Sequence, residues 1–157
     1  MASPWFWLAV WVAGVAASVA AHEAAHVVVA VRRNWRFGGV FFHPRSLGVG
    51  VNLAPRTPGD ERHLWKIALA GPLASLFAAE MFWALSTRPG GAGVTFASLM
   101  VLNLVIVGIN LVPTPITDGG HIVKGLTGWT VRWRYVLGLW LATELLALAL
   151  VSDTLWP

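Results

Sequence analysis

His22-Glu23-Ala24-Ala25-His26 carries the densest chemistry in this sequence. In a helix, side chains four residues apart lie on one face, a turn from each other. Both imidazoles can therefore reach a single metal ion, and neutral imidazole is a standard zinc ligand. Glu23 lies beside them, where a carboxylate can take a proton from a water activated by the metal and hand it to a leaving nitrogen. Two histidines and a glutamate inside an otherwise apolar stretch carry further weight, because ionisable groups at membrane depth are costly and usually functional.

Two imidazoles do not complete such a site. A catalytic zinc centre usually has three protein ligands and an open position. The chain has no cysteine, so the third ligand must be His, Asp or Glu, and disulfides, zinc ribbons and thiol nucleophiles are excluded. Asp118 is the best candidate, in the run Asn110-Leu111-Val112-Pro113-Thr114-Pro115-Ile116-Thr117-Asp118-Gly119-Gly120-His121. Pro113 and Pro115 break a helix, and the two glycines let the chain turn closely. Irregular backbone at membrane depth is tolerated only where it is buried or lines a wet cavity.

The elements that position these residues are membrane spans. Of the 157 residues, 57% are hydrophobic and only 11% are charged, against about 25% charged in soluble domains; the mean hydropathy is +0.67. This predicts an all-α polytopic membrane protein forming a single domain, residues 1–157. Four stretches approach the roughly 20 helical residues that cross a bilayer: Trp5 to Val31, Leu64 to Ser86, Val94 to Val112 and Tyr135 to Leu155. The first resembles a signal peptide, but it has no basic N-terminal region and its apolar run resumes after His26, so it reads as an uncleaved helix. Between the first two spans, Phe37 to Leu53 is β-prone with Gly and Pro punctuation and predicts a short membrane-associated hairpin. Pro55 to Asp60 then reads as a loop, and Arg88 to Gly93 as a tight connection.

Charge sets the topology. The net charge is +4, and seven of the eleven basic residues lie between Arg32 and Lys66. Three more, Lys124, Arg132 and Arg134, follow the third span. By the positive-inside rule both loops are cytoplasmic and both termini outside. Trp5, Trp7, Trp11 and Trp156 then suit an outer aromatic belt, and Trp35, Trp129 and Trp133 an inner one. Basic residues beside a bilayer point to anionic headgroups; no nucleic-acid-binding pattern is present. The first and third spans run the same way. At 1.5 Å per residue, His26 lies about 8 Å and His22 about 14 Å from Val31, so both can meet Asp118 at one depth, toward the cytoplasm.

Together these segments resemble the site-2 proteases, the intramembrane zinc metalloproteases of the M50 class. That family pairs HExxH on one helix with N-x-x-P-x-x-x-x-D-G on another, and Asn110, Pro113, Asp118 and Gly119 match the second pattern at its spacing. Ala70-Gly71-Pro72-Leu73-Ala74-Ser75 is similar to the family's AGPLAN segment. The resemblance covers about residues 5–121 as a three-helix catalytic core. It implies that His22, His26 and Asp118 bind one catalytic Zn2+, that Glu23 is the general base, and that Asn110 helps to hold substrate or oxyanion. It also implies a bacterial plasma-membrane enzyme with its active site toward the cytoplasm. The substrate would be a membrane-tethered protein such as a sigma factor precursor or anti-sigma factor. The layout is closest to the sporulation-type members, which release a membrane-tethered sigma factor precursor. Phe37 to Leu53 is similar to the family's β-region, which can present an edge to an extended substrate.

The chain departs from the family pattern at Ser75 (often Asn), Thr117 (usually Leu), Ile116 (commonly Pro) and Ala25 (frequently Gly). These departures bear on substrate type and leave the ligands and base intact. Two other functions remain open: an inactive relative that binds and retains a membrane partner, and a membrane metal carrier. Glu80 and Glu144, in mid-span, favour structural or gating roles; His121 is either a partner of the site or a solvated loop residue. His43 and His63 read as interfacial.

Overall fold

A computed structural model of the chain describes residues 2–43, 48–132, 134–136 and 138. The first helix, α1, runs Pro4–Arg32. Ser3 caps it, its hydroxyl accepting from the Phe6 N–H at 3.3 Å, and Pro4 occupies the first turn, where its missing N–H costs nothing. The helix stops beyond Arg32, where Asn34 takes a left-handed φ of 63°. An antiparallel hairpin follows, β1 (Trp35–His43) with β2 (Gly48–Pro55), in register from Trp35 opposite Pro55 to His43 opposite Gly48. The register shifts between Phe37 and Val40. There Gly38 and Gly39 together oppose Asn52, and Gly39 has a φ of +113° that suits glycine.

A 3-10 turn, Pro58–His63, leads into α2 (Leu64–Ser86), and α3 spans Gly91–Leu111. The turn is tied to the base of the hairpin: Asp60 accepts from Asn34 Nδ2 at 3.0 Å through its carboxylate and from Trp35 Nε1 at 3.1 Å through its carbonyl. A short fourth helix, α4, runs Asp118–Thr127 and ends at Gly128, whose φ is 72°.

Among the described residues, three helices are long and apolar enough to cross a membrane: α1, the 3-10 turn with α2, and α3. Little of that apolar surface is buried within the protein. Leu8, Val12, Phe77, Met81, Trp83, Val94, Val101 and Ile109 are all exposed, as expected of helices that face lipid.

The helices approach one another through small residues. α2 is central, packing on α1, α3 and α4, and its buried face is Ile67, Ala68, Ala70, Gly71, Pro72, Ser75 and Ala79. Where lipid is as apolar as the side chains, close backbone approach and interhelical hydrogen bonds drive helix association. Gly14 lies against Leu99 and Gly91 against the Trp7 ring. The second contact joins the starts of α1 and α3, so these helices run in parallel and α2 returns between them. Asn103 ties α3 to α1, donating from Nδ2 to Ser18 Oγ at 2.9 Å and to the Leu99 carbonyl at 2.8 Å.

The first two predicted spans coincide with α1 and α2 to within a residue at each end. The third begins earlier than predicted: Gly91 to Gly93, read as part of a tight connection, form the first turn of α3. α4 was not anticipated. The fourth predicted span, Tyr135 to Leu155, lies outside the described residues beyond its first few positions, and with it Glu144.

Candidate metal centre

His22 and His26 point from α1 toward α2 and are almost fully buried, at 4% and 6% exposure. Their ring planes meet edge to face, with centroids 4.9 Å apart. Each ring is held through Nδ1: His22 Nδ1 lies 2.9 Å from Ser75 Oγ, and His26 Nδ1 lies 2.7 Å from the Ile67 carbonyl oxygen. A carbonyl can only accept, so His26 Nδ1 carries a proton, and Nε2 is the atom free to ligate.

Those two Nε2 atoms converge on Asp118. His22 Nε2 is 3.1 Å from Asp118 Oδ2, and His26 Nε2 is 3.4 Å from Asp118 Oδ1. The three residues present ligand atoms within 4.8 Å of one another. Ligands at about 2.0–2.1 Å around a tetrahedral zinc stand about 3.3 Å apart; the two nitrogen–oxygen distances are close to that, each to a different oxygen of Asp118. Electrostatics favours a cation as well. At His26, whose Nδ1 carries the proton, an Nε2 lone pair aimed at Asp118 is repulsive, and the repulsion is relieved by a second ring proton or a cation between them. Two imidazoles and one carboxylate, with room for a further ligand, are a donor set that zinc accepts.

α2 has to come very close for this arrangement. A Cβ on Gly71 would collide with Nε2 of both His22 and His26, so only glycine leaves room for both rings. One turn further along the same face, Ser75 is 1% exposed and holds His22. Gly71 and Ser75 stand four residues apart, on one helix face, but nothing local in the sequence marks Ser75 as the partner of a ring on another helix.

Asp118 is aimed by a tight turn between α3 and α4. The Thr117 hydroxyl donates to the Val112 carbonyl at 2.5 Å and accepts from the Thr114 N–H at 3.1 Å. These bonds reinforce the direct 2.8 Å hydrogen bond from the Thr114 N–H to the Val112 carbonyl. Cβ atoms on Gly119 and Gly120 would strike the carbonyls of Leu111 and Thr114, so α4 can fold back under the end of α3 only with glycine at both positions. Asp118 then occupies the first turn of α4.

A cavity of about 750 Å3 opens over His22, His26 and Asp118 and is lined also by Glu23, Asn52, Asn110 and His121. Glu23 is half-buried and follows His22 on α1. Asn110 lines the cavity but turns its amide N–H back to the Ile106 carbonyl at 2.9 Å. Partial desolvation holds the His121 imidazole below its ordinary pKa, with Asp118 opposing the shift and Lys124 adding to it. Asn52, beside the glycine bulge, was missed from sequence because bulges re-aim a side chain without leaving a composition signal. Glu80 is exposed on α2 and is not among the cavity-lining residues.

No family model matches the chain, and no curated protein matches it.

Proposed function

We propose that this protein is an intramembrane zinc endopeptidase, similar to the site-2 proteases, which hydrolyses a peptide bond in or near a transmembrane segment. The observation that carries the reading is the convergence of His22, His26 and Asp118 on one point, with Glu23 beside them in an open cavity. Zinc bound there would supply Lewis-acid polarisation of the scissile carbonyl and of the attacking water.

The protein's own groups account for the remaining steps. Glu23 accepts the proton of the attacking water and returns it to the amide nitrogen as the C–N bond breaks. The Nδ1 contacts to Ser75 and Ile67 hold both rings in ligating orientation. Asn110 has one N–H engaged with Ile106, which leaves its second N–H and its oxygen for substrate or oxyanion. A helical peptide bond is shielded and must be extended before hydrolysis; an edge of the β1–β2 hairpin offers a template for that by strand addition.

The substrate we assign is a membrane-tethered protein, such as a sigma factor precursor or an anti-sigma factor, cut on the cytoplasmic side of a bacterial plasma membrane. The basic residues support that orientation. Arg32, Arg33, Arg36, Arg62 and Lys66 flank the junction of α1, the hairpin and α2, the end of the bundle that holds the site.

The test is Glu23→Gln in liposomes with a candidate substrate. Cleavage is expected to fall by about 10²- to 10⁴-fold at unchanged zinc content. Wild-type cleavage rates in the variant would overturn the general-base assignment.

A further inference from the structure

A second space adjoins the metal cavity. On the side of α1 turned to the hairpin, Ala16, Ala20 and Ala24 follow one another at four-residue intervals and form a shallow floor with Val19 and Val27. The opposite wall is the hairpin: Phe37, Val40, Val49 and Val51. The space between holds about 690 Å3, within the range of ligand pockets. Every side chain lining it is apolar except Glu23. Glu23, Val49 and Val51 also line the metal cavity, so the two spaces meet at the carboxylate.

That junction dictates what enters. A peptide bond attacked with help from Glu23 must lie between that carboxylate and the three ligands. A polypeptide extended along the hairpin projects its side chains alternately to two faces. One residue flanking the cut therefore faces past Glu23 into the apolar space, over alanines that leave it open. We infer that this crevice is a specificity subsite, receiving a bulky apolar side chain of the substrate at one of the two positions flanking the cut; the inference rests on the endopeptidase reading. A polar or charged residue there would be desolvated without a partner. Glycine or alanine would leave the space unfilled.

The experiment uses the full chain in liposomes and a substrate series with Gly, Ala, Leu, Phe, Trp or Asp at each flanking position. Wild type is expected to favour Leu or Phe over Gly at one flank by at least about tenfold in kcat/KM. Ala20→Phe fills the floor and should reverse that preference toward Gly and Ala. Val40→Ala enlarges the opposite wall and should shift it toward Trp. Zinc content, and cleavage of the Gly-flanked substrate by Ala20→Phe, show that the filled variant is folded. Active wild type with no flank preference, or with a preference that neither variant moves, would mean that lipid alone fills the crevice and would overturn the subsite. A wild type that cleaves nothing in the series would instead overturn the endopeptidase reading, and the subsite with it.

Discussion

Ser75 Oγ lies 2.9 Å from Nδ1 of His22, both groups are buried, and 53 residues separate them in sequence. A ligand histidine keeps its tautomer and ring angle through the partner of its other nitrogen. Ser75→Ala removes that partner and leaves His22 Nδ1 without its hydrogen bond in a buried position. Zinc affinity is expected to fall by about 10- to 100-fold, measured by competition with a metal-sensitive dye. Ser75→Asn offers another acceptor and should lose less. Equal affinities for Ser75→Ala and wild type would show that the hydroxyl does not support the ring.

Gly71 makes a sharper prediction. In Gly71→Val the new side chain would occupy the space of both Nε2 atoms. Valine is tolerated in apolar helices, so helix content by circular dichroism should stay near wild type while stoichiometric zinc is lost. A variant that retains the metal would require α2 to lie further from α1 than described.

Asp118→Ala should weaken zinc binding by more than the roughly 10- to 100-fold typical of losing an outer partner, because it removes a ligand outright. Metal analysis of the purified variant beside wild type checks this. A strong chelator should abolish cleavage by wild type, and added zinc should restore it. Undiminished zinc in the variant would remove Asp118 from the centre.

The turn that aims Asp118 is open to a separate test. Thr117→Val deletes the hydroxyl that bridges Val112 and Thr114; those two groups keep their own 2.8 Å hydrogen bond, so the cost is that of the lost side-chain bonds, about 0.5–1.5 kcal/mol each. Thr117→Ser keeps the hydroxyl. The valine variant is expected to lower both thermal stability and kcat, and the serine variant neither. Identical melting behaviour of the two would show that the bridge is not what holds the turn.

The sequence was informative where structure is periodic or strongly apolar. The His22–His26 spacing is a helix period, and the bounds of α2 follow from the length of an apolar run. Asp118 was legible because Pro113, Pro115, Gly119 and Gly120 mark an opening at the end of a span. What escaped notice depends on contacts distant in sequence. α4 begins with Asp118-Gly119-Gly120, which locally reads as a turn. It forms against α2, where Gly125 admits the backbone of Trp65. Gly91 to Gly93 read as a connection for the same reason, yet they form a helix start packed on Trp7. Asn52 carries no signature of its own, and Gly71, though it stands in a family-like segment, shows its role only in the two rings it adjoins.

The three candidate ligands come from widely separated parts of the chain: two from the first helix, and one that appears only after the third helix and its turn. A ribosome therefore delivers the base and two imidazoles long before the residue that completes the set. Until Asp118 has emerged and α4 has folded under α3, the growing chain holds half a centre. Under the endopeptidase reading proposed above, catalysis must await that last residue, so the order of synthesis sets the earliest point at which the chain could act.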